Sequence, residues 1–139
     1  MNAHLIFWPV LAQVFLVVLM FAVLARRKIG ALKARQVDRG AAALDNKAWP
    51  ENVVKVSNNL DNQSQVPVLF YVLCLVAYSA GAVNLALLVL AWVFVVSRYI
   101  HAYVHIGSNY VPLRLRLFMA GCTTVLLMLG VVAWGLLQG

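Results

Sequence analysis

The sequence predicts an all-α integral membrane protein, a four-transmembrane-helix bundle forming one domain over residues 1–139. Three observations carry this. Hydrophobic residues make up 64% of the chain and charged residues only 11%, against roughly 25% charge in a soluble domain. Lys and Arg are missing from the stretches 1–25, 56–97 and 117–139. The basic residues that remain are clustered, eight of the eleven lying between Arg26 and Lys55. A bilayer core needs about 20 mainly apolar helical residues. The first and last stretches therefore give one crossing each, and the middle one gives two, turning at "YSAGAVN" (78–84).

Helix 1 is expected over 4–27. A signal peptide would put its positive charge before a short apolar region, whereas "RRK" (26–28) follows this one, so the segment reads as an anchor. The loop 28–49 is polar, with a short helix around 31–39. "WPEN" (49–52) marks the next start, with Pro50 at the first helical position and Glu51 at the positive end of the helix dipole. Helix 2 runs over 50–79 and is kinked by Pro67, which removes one backbone hydrogen bond. Helix 3 is expected over 84–106, "GSNYVP" (107–112) turns the chain, and helix 4 covers 111–137.

With four crossings, the basic clusters fall in or beside the first and third loops. Cytoplasmic loops attract Lys and Arg, which places both loops in the cytosol and both termini on the opposite side. Beside a membrane helix, "RRKIGALKAR" (26–35) suits anionic lipid headgroups and gives no reason to invoke nucleic acid. Cys74 and Cys122 lie inside apolar helices and read as packing residues. Tyr99 and Tyr103 read as interfacial anchors, and Trp8, Trp92 and Trp134 as anchors or packing residues.

The polar residues inside the crossings are the informative ones. Helix 2 has a clean apolar run only over 66–77, about 18 Å long at 1.5 Å per residue, against a hydrocarbon core of roughly 30 Å. "SNNLDNQSQ" (57–65) must then enter the membrane, and Asn58, Asp61, Asn62 and Gln65 fall at i, i+3, i+4 and i+7, on one helical face. Helix 3 mirrors this. Its apolar run ends at Val96, and Arg98, His101 and His105 form a second stripe at the same level. Ionisable residues in a membrane turn toward partners or a wet cavity. Together with Arg26 and Arg114 at neighbouring helix ends, the stripes predict a net-positive pocket opening to the cytosol. A structural network of buried hydrogen bonds would produce the same stripes. Asp61 is also expected to pair with Arg98.

Other chemistries find little support. His101 and His105 have zinc-compatible i, i+4 spacing, but His4, the remaining histidine, is expected at the opposite membrane face. Small proton-coupled exporters need a carboxylate inside helix 1, where Gln13 is the only interior polar group. No phosphate loop, dinucleotide fingerprint or nucleophile triad is present.

The pattern resembles the MAPEG family (membrane-associated proteins in eicosanoid and glutathione metabolism), over essentially the whole chain. On helix 2 the family carries Asn-x-x-Glu shortly before a proline. Here "NQSQVP" supplies Asn62, Gln65 and Pro67. On helix 3 the family's Arg-x-x-His/Tyr followed by Tyr is matched by Arg98 and His101, with His105 in the tyrosine position. Arg114 matches the arginine near the start of helix 4, and "VPVLFYVLC" (66–74) looks like bacterial members. The resemblance implies a homotrimer in a bacterial inner membrane, with glutathione as co-substrate between subunits and no metal. The bound thiolate would attack a hydrophobic electrophile or reduce a lipid hydroperoxide.

A free thiol with a pKa of about 8.5 is only a few per cent thiolate at neutral pH, so a cation must favour the anion. On this resemblance Arg114 supplies that field and His101 a hydrogen bond. Arg26, Asp61, Asn62, Gln65, Arg98 and His105 hold the tripeptide, Arg26 through a carboxylate. Three positions depart from the family pattern. Gln65 replaces Glu, Asp61 stands where glutathione-using members often have Arg, and His105 replaces Tyr. The family's lipoxygenase-activating branch makes a non-catalytic lipid-binding or scaffold protein the alternative reading.

Overall fold

The computed structural model describes residues 1–138, all helix, turn and loop, with no strand among the described residues. A 3-10 turn, Ala3–Ile6, leads into helix α1, Phe7–Lys33. A one-turn helix α2, Arg39–Ala42, lies in the first loop. Then come α3, Glu51–Gln63; α4, Val66–Ser79; α5, Leu85–Ile106; and α6, Val111–Gln138. Three of these helices are long and apolar enough to cross a membrane: α1 with its leading turn, α5 and α6.

The region expected as one kinked helix over 50–79 is two helices. Pro67 has no N–H to offer the carbonyl of Gln63, and its ring would collide with that carbonyl in a continuous helix. The chain breaks at Ser64 and Gln65, whose N–H groups fold back on Asp61 (3.1 Å) and Asn62 (3.4 Å), and Pro67 becomes a first-turn residue of α4. The break does not disturb the buried face. Val53, Val56, Leu60 and Gln63 continue into Pro67, Phe70, Cys74 and Ala77 at alternating three- and four-residue steps.

The first loop also differs from expectation. α1 extends to Lys33 because Ala31 still packs inside, and the helix ends where Arg35 takes a left-handed conformation (φ 53°). The short helix starts later, at Arg39, where the Asp38 side chain accepts from the Gly40 N–H at 2.9 Å.

α5 is the central element. It packs most extensively on α6 and also touches α1 and α3, while α4 lies against α6 and α3 against α1. The main core joins Phe70, Leu87, Ala91, Phe94, Met128 and Val132, with the rings of Phe70 and Phe94 stacked at 4.6 Å. The outer faces are apolar, with Trp8, Phe15, Leu126 and Trp134 all exposed. In water such a surface would be an extended apolar patch; facing lipid it is the expected one.

Candidate functional site

One stripe of α5 makes both core and site. Leu87, Ala91 and Phe94 are buried in the main core, and Arg98, His101 and His105 continue the same stripe, equally buried. The helix therefore carries its polar residues inward by the same periodicity that buries Leu87, Ala91 and Phe94.

Arg98 is 0% exposed, and none of Nε, Nη1 and Nη2 has a hydrogen-bond partner. All four carboxylates of the chain, Asp38, Asp45, Glu51 and Asp61, are exposed, and Glu51 pairs with Lys55 at 2.9 Å. The expected Asp61–Arg98 pair is not formed. Among the described residues no carboxylate pairs with the buried guanidinium, an arrangement that costs several kcal/mol.

His101, one turn from Arg98, lines a cleft of about 240 Å³ with Asn62, Arg114, Val111, Leu115 and Phe118. Arg114 is half-buried and held by the turn before α6. Its Nη1 donates to Asn109 Oδ1 at 2.6 Å, and Asn109 sits in the left-handed region (φ 55°), which asparagine tolerates well. Its Nε is buried without a partner, as is Nδ1 of His101. The cleft therefore offers two fixed nitrogen-bearing groups and an amide around one opening, over an apolar wall. That combination suits an anionic group attached to a less polar body.

His105 lies behind this cleft. Its ring stands edge-on to His101, centroids 5.5 Å apart at 80°, and its Nδ1 is 3.3 Å from Asn59 Nδ2. Asn59 is tied to Gln63, and Gln63 to Gln13 of α1. Of the sequence-derived candidates, the structure gathers Asn62, His101 and Arg114 at the cleft, with Arg98 and His105 buried on the same stripe as His101. Asp61 and Gln65 are exposed and do not line it. Arg26 lines a separate groove of about 460 Å³ with Arg27, Gln36 and Asn52.

Sequence reasoning missed several residues. On α3 the buried polar positions are Asn59 and Gln63, not the Asn58–Asp61–Asn62–Gln65 face. Val53, Val56 and Leu60 mark the inner face at i, i+3 and i+7, and following those apolar residues would have found them. Arg27 donates to the carbonyls of Asn52 (2.6 Å) and Ile106 (3.3 Å), tying the end of α5 to α1 and α3. Tyr99, expected at the interface, donates to the Ala12 carbonyl at 2.7 Å and joins α5 to α1.

Comparison with known proteins returns one family. No curated protein and no solved structure matches. The model of the MAPEG family matches residues 5–134, a span that takes in α1 to α5, most of α6 and the whole cleft. With its three long apolar helices, the chain is an integral membrane protein belonging to the MAPEG family.

Proposed function

We propose that this protein is a glutathione-dependent transferase or peroxidase acting on hydrophobic electrophiles or lipid hydroperoxides at the cytosolic membrane interface. The observation that carries the reading is the cleft, where a turn-anchored Arg114 and a buried His101 face one opening with no carboxylate beside them. A cation held in place beside a thiol stabilises the thiolate over the thiol, each unit of pKa depression corresponding to about 1.4 kcal/mol. The thiolate sulfur then bonds to the electrophilic carbon as the leaving group departs. With a hydroperoxide, two glutathiones give the disulfide, an alcohol and water. In this reading Asn62 and His101 orient the tripeptide, Arg98 supplies positive field from behind, and Arg26 and Gln65 belong to a neighbouring subunit's contact or to none.

The same reading makes α3 and α4 together the fourth crossing, since their buried face keeps its phase through the break. It also makes the assembly a homotrimer, with both termini away from the cytosol.

A second reading, a non-catalytic lipid-binding protein, is favoured by one feature. Leu88, Val89, Trp92, Val93, Val96 and Leu117 line an apolar groove of about 560 Å³ on α5 and α6. One experiment separates the two. Detergent-solubilised protein is given glutathione and a chloronitrobenzene electrophile, and its melting temperature is measured with and without glutathione. Turnover with a raised melting temperature supports the enzyme. A raised melting temperature without turnover leaves binding alone, and neither response removes glutathione from the account.

A further inference from the structure

Four buried side chains form a hydrogen-bonded chain across three helices. Gln13 on α1, Gln63 and Asn59 on α3, and His105 on α5 are exposed by 0%, 3%, 0% and 1% respectively. Gln13 Nε2 donates to Gln63 Oε1 at 3.0 Å, Gln63 Nε2 donates to Asn59 Oδ1 at 3.3 Å, and Asn59 Nδ2 meets His105 Nδ1 at 3.3 Å. An amide NH2 group only donates, so His105 Nδ1 accepts; the ring is then neutral with its proton on Nε2.

The direction of the chain is set at its far end. In the order given, the atom left without a partner is Gln13 Oε1, a single acceptor. Turning all three amides over would satisfy that oxygen but leave both hydrogens of the Gln13 amide unpaired in a stripe with Pro9, Leu16 and Met20. Orphaned buried N–H groups are rarer than under-satisfied carbonyl oxygens, so this polarity is favoured, and it hands His105 a donor to accept from.

We infer that Gln13, Gln63 and Asn59 are positioning residues that fix His105 in its Nε2–H tautomer. His105 can then offer a hydrogen-bond donor, and no acceptor, from the ring edge remote from Asn59. Its ring in turn backs His101, which lines the cleft. His105 does not line the cleft, so its fixed tautomer bears on the site only through His101, and that bearing rests on reading the cleft as a thiolate site.

The test needs no ligand, so it stands or falls separately from glutathione chemistry. Histidine is isotope-labelled on its ring nitrogens in the detergent-solubilised protein, and nitrogen–proton correlations read the tautomer. Only His4, His101 and His105 contribute signals, and His105→Gln identifies the relevant one. Buried hydrogen bonds of ordinary strength predict a preference of about tenfold or more for Nε2–H in the native chain. Asn59→Leu should abolish the preference, Gln63→Met should weaken it, and Gln13→Met should weaken it least. Helix content and elution as a single species check that each variant is folded. If Asn59→Leu fails to fold, Gln13→Met, which places an apolar side chain in an apolar stripe, decides the matter. A native His105 carrying its proton on Nδ1, or on both nitrogens, would overturn the inference. So would a tautomer unchanged in folded Gln63→Met and Gln13→Met.

Discussion

The two halves of the α5 stripe are buried alike and satisfied very differently. Around Phe94 the chain completes its own packing, with Phe70 stacked on it at 4.6 Å and Leu87, Ala91 and Met128 all at 0% exposure. Around His101 it does not. Arg98 is just as inaccessible, yet all three of its side-chain nitrogens lack a partner, and so do His101 Nδ1 and Arg114 Nε. Buried polar groups are normally hydrogen-bonded, and exceptions call for an explanation. The apolar half has the properties of a finished core, whereas the polar half keeps buried donors and acceptors unpaired.

Substitutions can break or sharpen this contrast. The largest effect is expected in the apolar half. Phe70→Ala opens a cavity against Phe94 and should lower stability toward the low end of about 3–5 kcal/mol, since lipid tails also solvate an exposed ring. Reversible unfolding in mixed micelles measures it. The polar half should respond in the opposite sense. Arg98→Met removes a buried, unpaired charge while keeping apolar bulk, and should raise unfolding stability by about 1–4 kcal/mol. On the proposed function, the same variant should lose most of its stabilisation by glutathione.

Two glycines test the contrast on a finer scale. A Cβ at Gly135 would lie 2.8 Å from Ala82 Cβ in the α4–α5 turn, so Gly135→Ala should cost about 1–3 kcal/mol through overpacking. A Cβ at Gly121, buried opposite Phe94 and Arg98, meets nothing closer than 3.7 Å, so Gly121→Ala should stabilise the helix by up to about 1 kcal/mol. Equal penalties at the two sites would contradict this difference in local packing.

Much of this was legible in the sequence, for a physical reason. Long apolar runs without Lys or Arg have only one inexpensive environment, so α1, α5 and α6 were readable from composition and spacing. The α5 stripe was readable too, because Arg98, His101 and His105 repeat at helical intervals directly after Val96. α3 was misjudged because its polar residues outnumber its apolar ones. Asn58, Asp61, Asn62 and Gln65 form as regular a face as the buried one, and only Val53, Val56 and Leu60 say which side turns in. Pro67 announced a disturbance, but whether a membrane helix kinks or breaks depends on how the freed carbonyls are satisfied, and the folded-back turn at Ser64 and Gln65 decided it here. Arg26 was placed by proximity along the chain, whereas helical rotation carries it to a groove of its own and gives the tie to α5 to its neighbour Arg27.

In the proposed function the Asn62–His101–Arg114 cleft holds a thiol as its anion. Ultraviolet difference absorbance on adding glutathione at neutral pH reads the thiolate directly, in the native protein and in Arg114→Ala. The account predicts a thiolate signal approaching one per site in the native protein and none above that of free glutathione in the variant, with the assembly unchanged in size. A thiolate signal of full strength in Arg114→Ala, or none in the native protein, would contradict it.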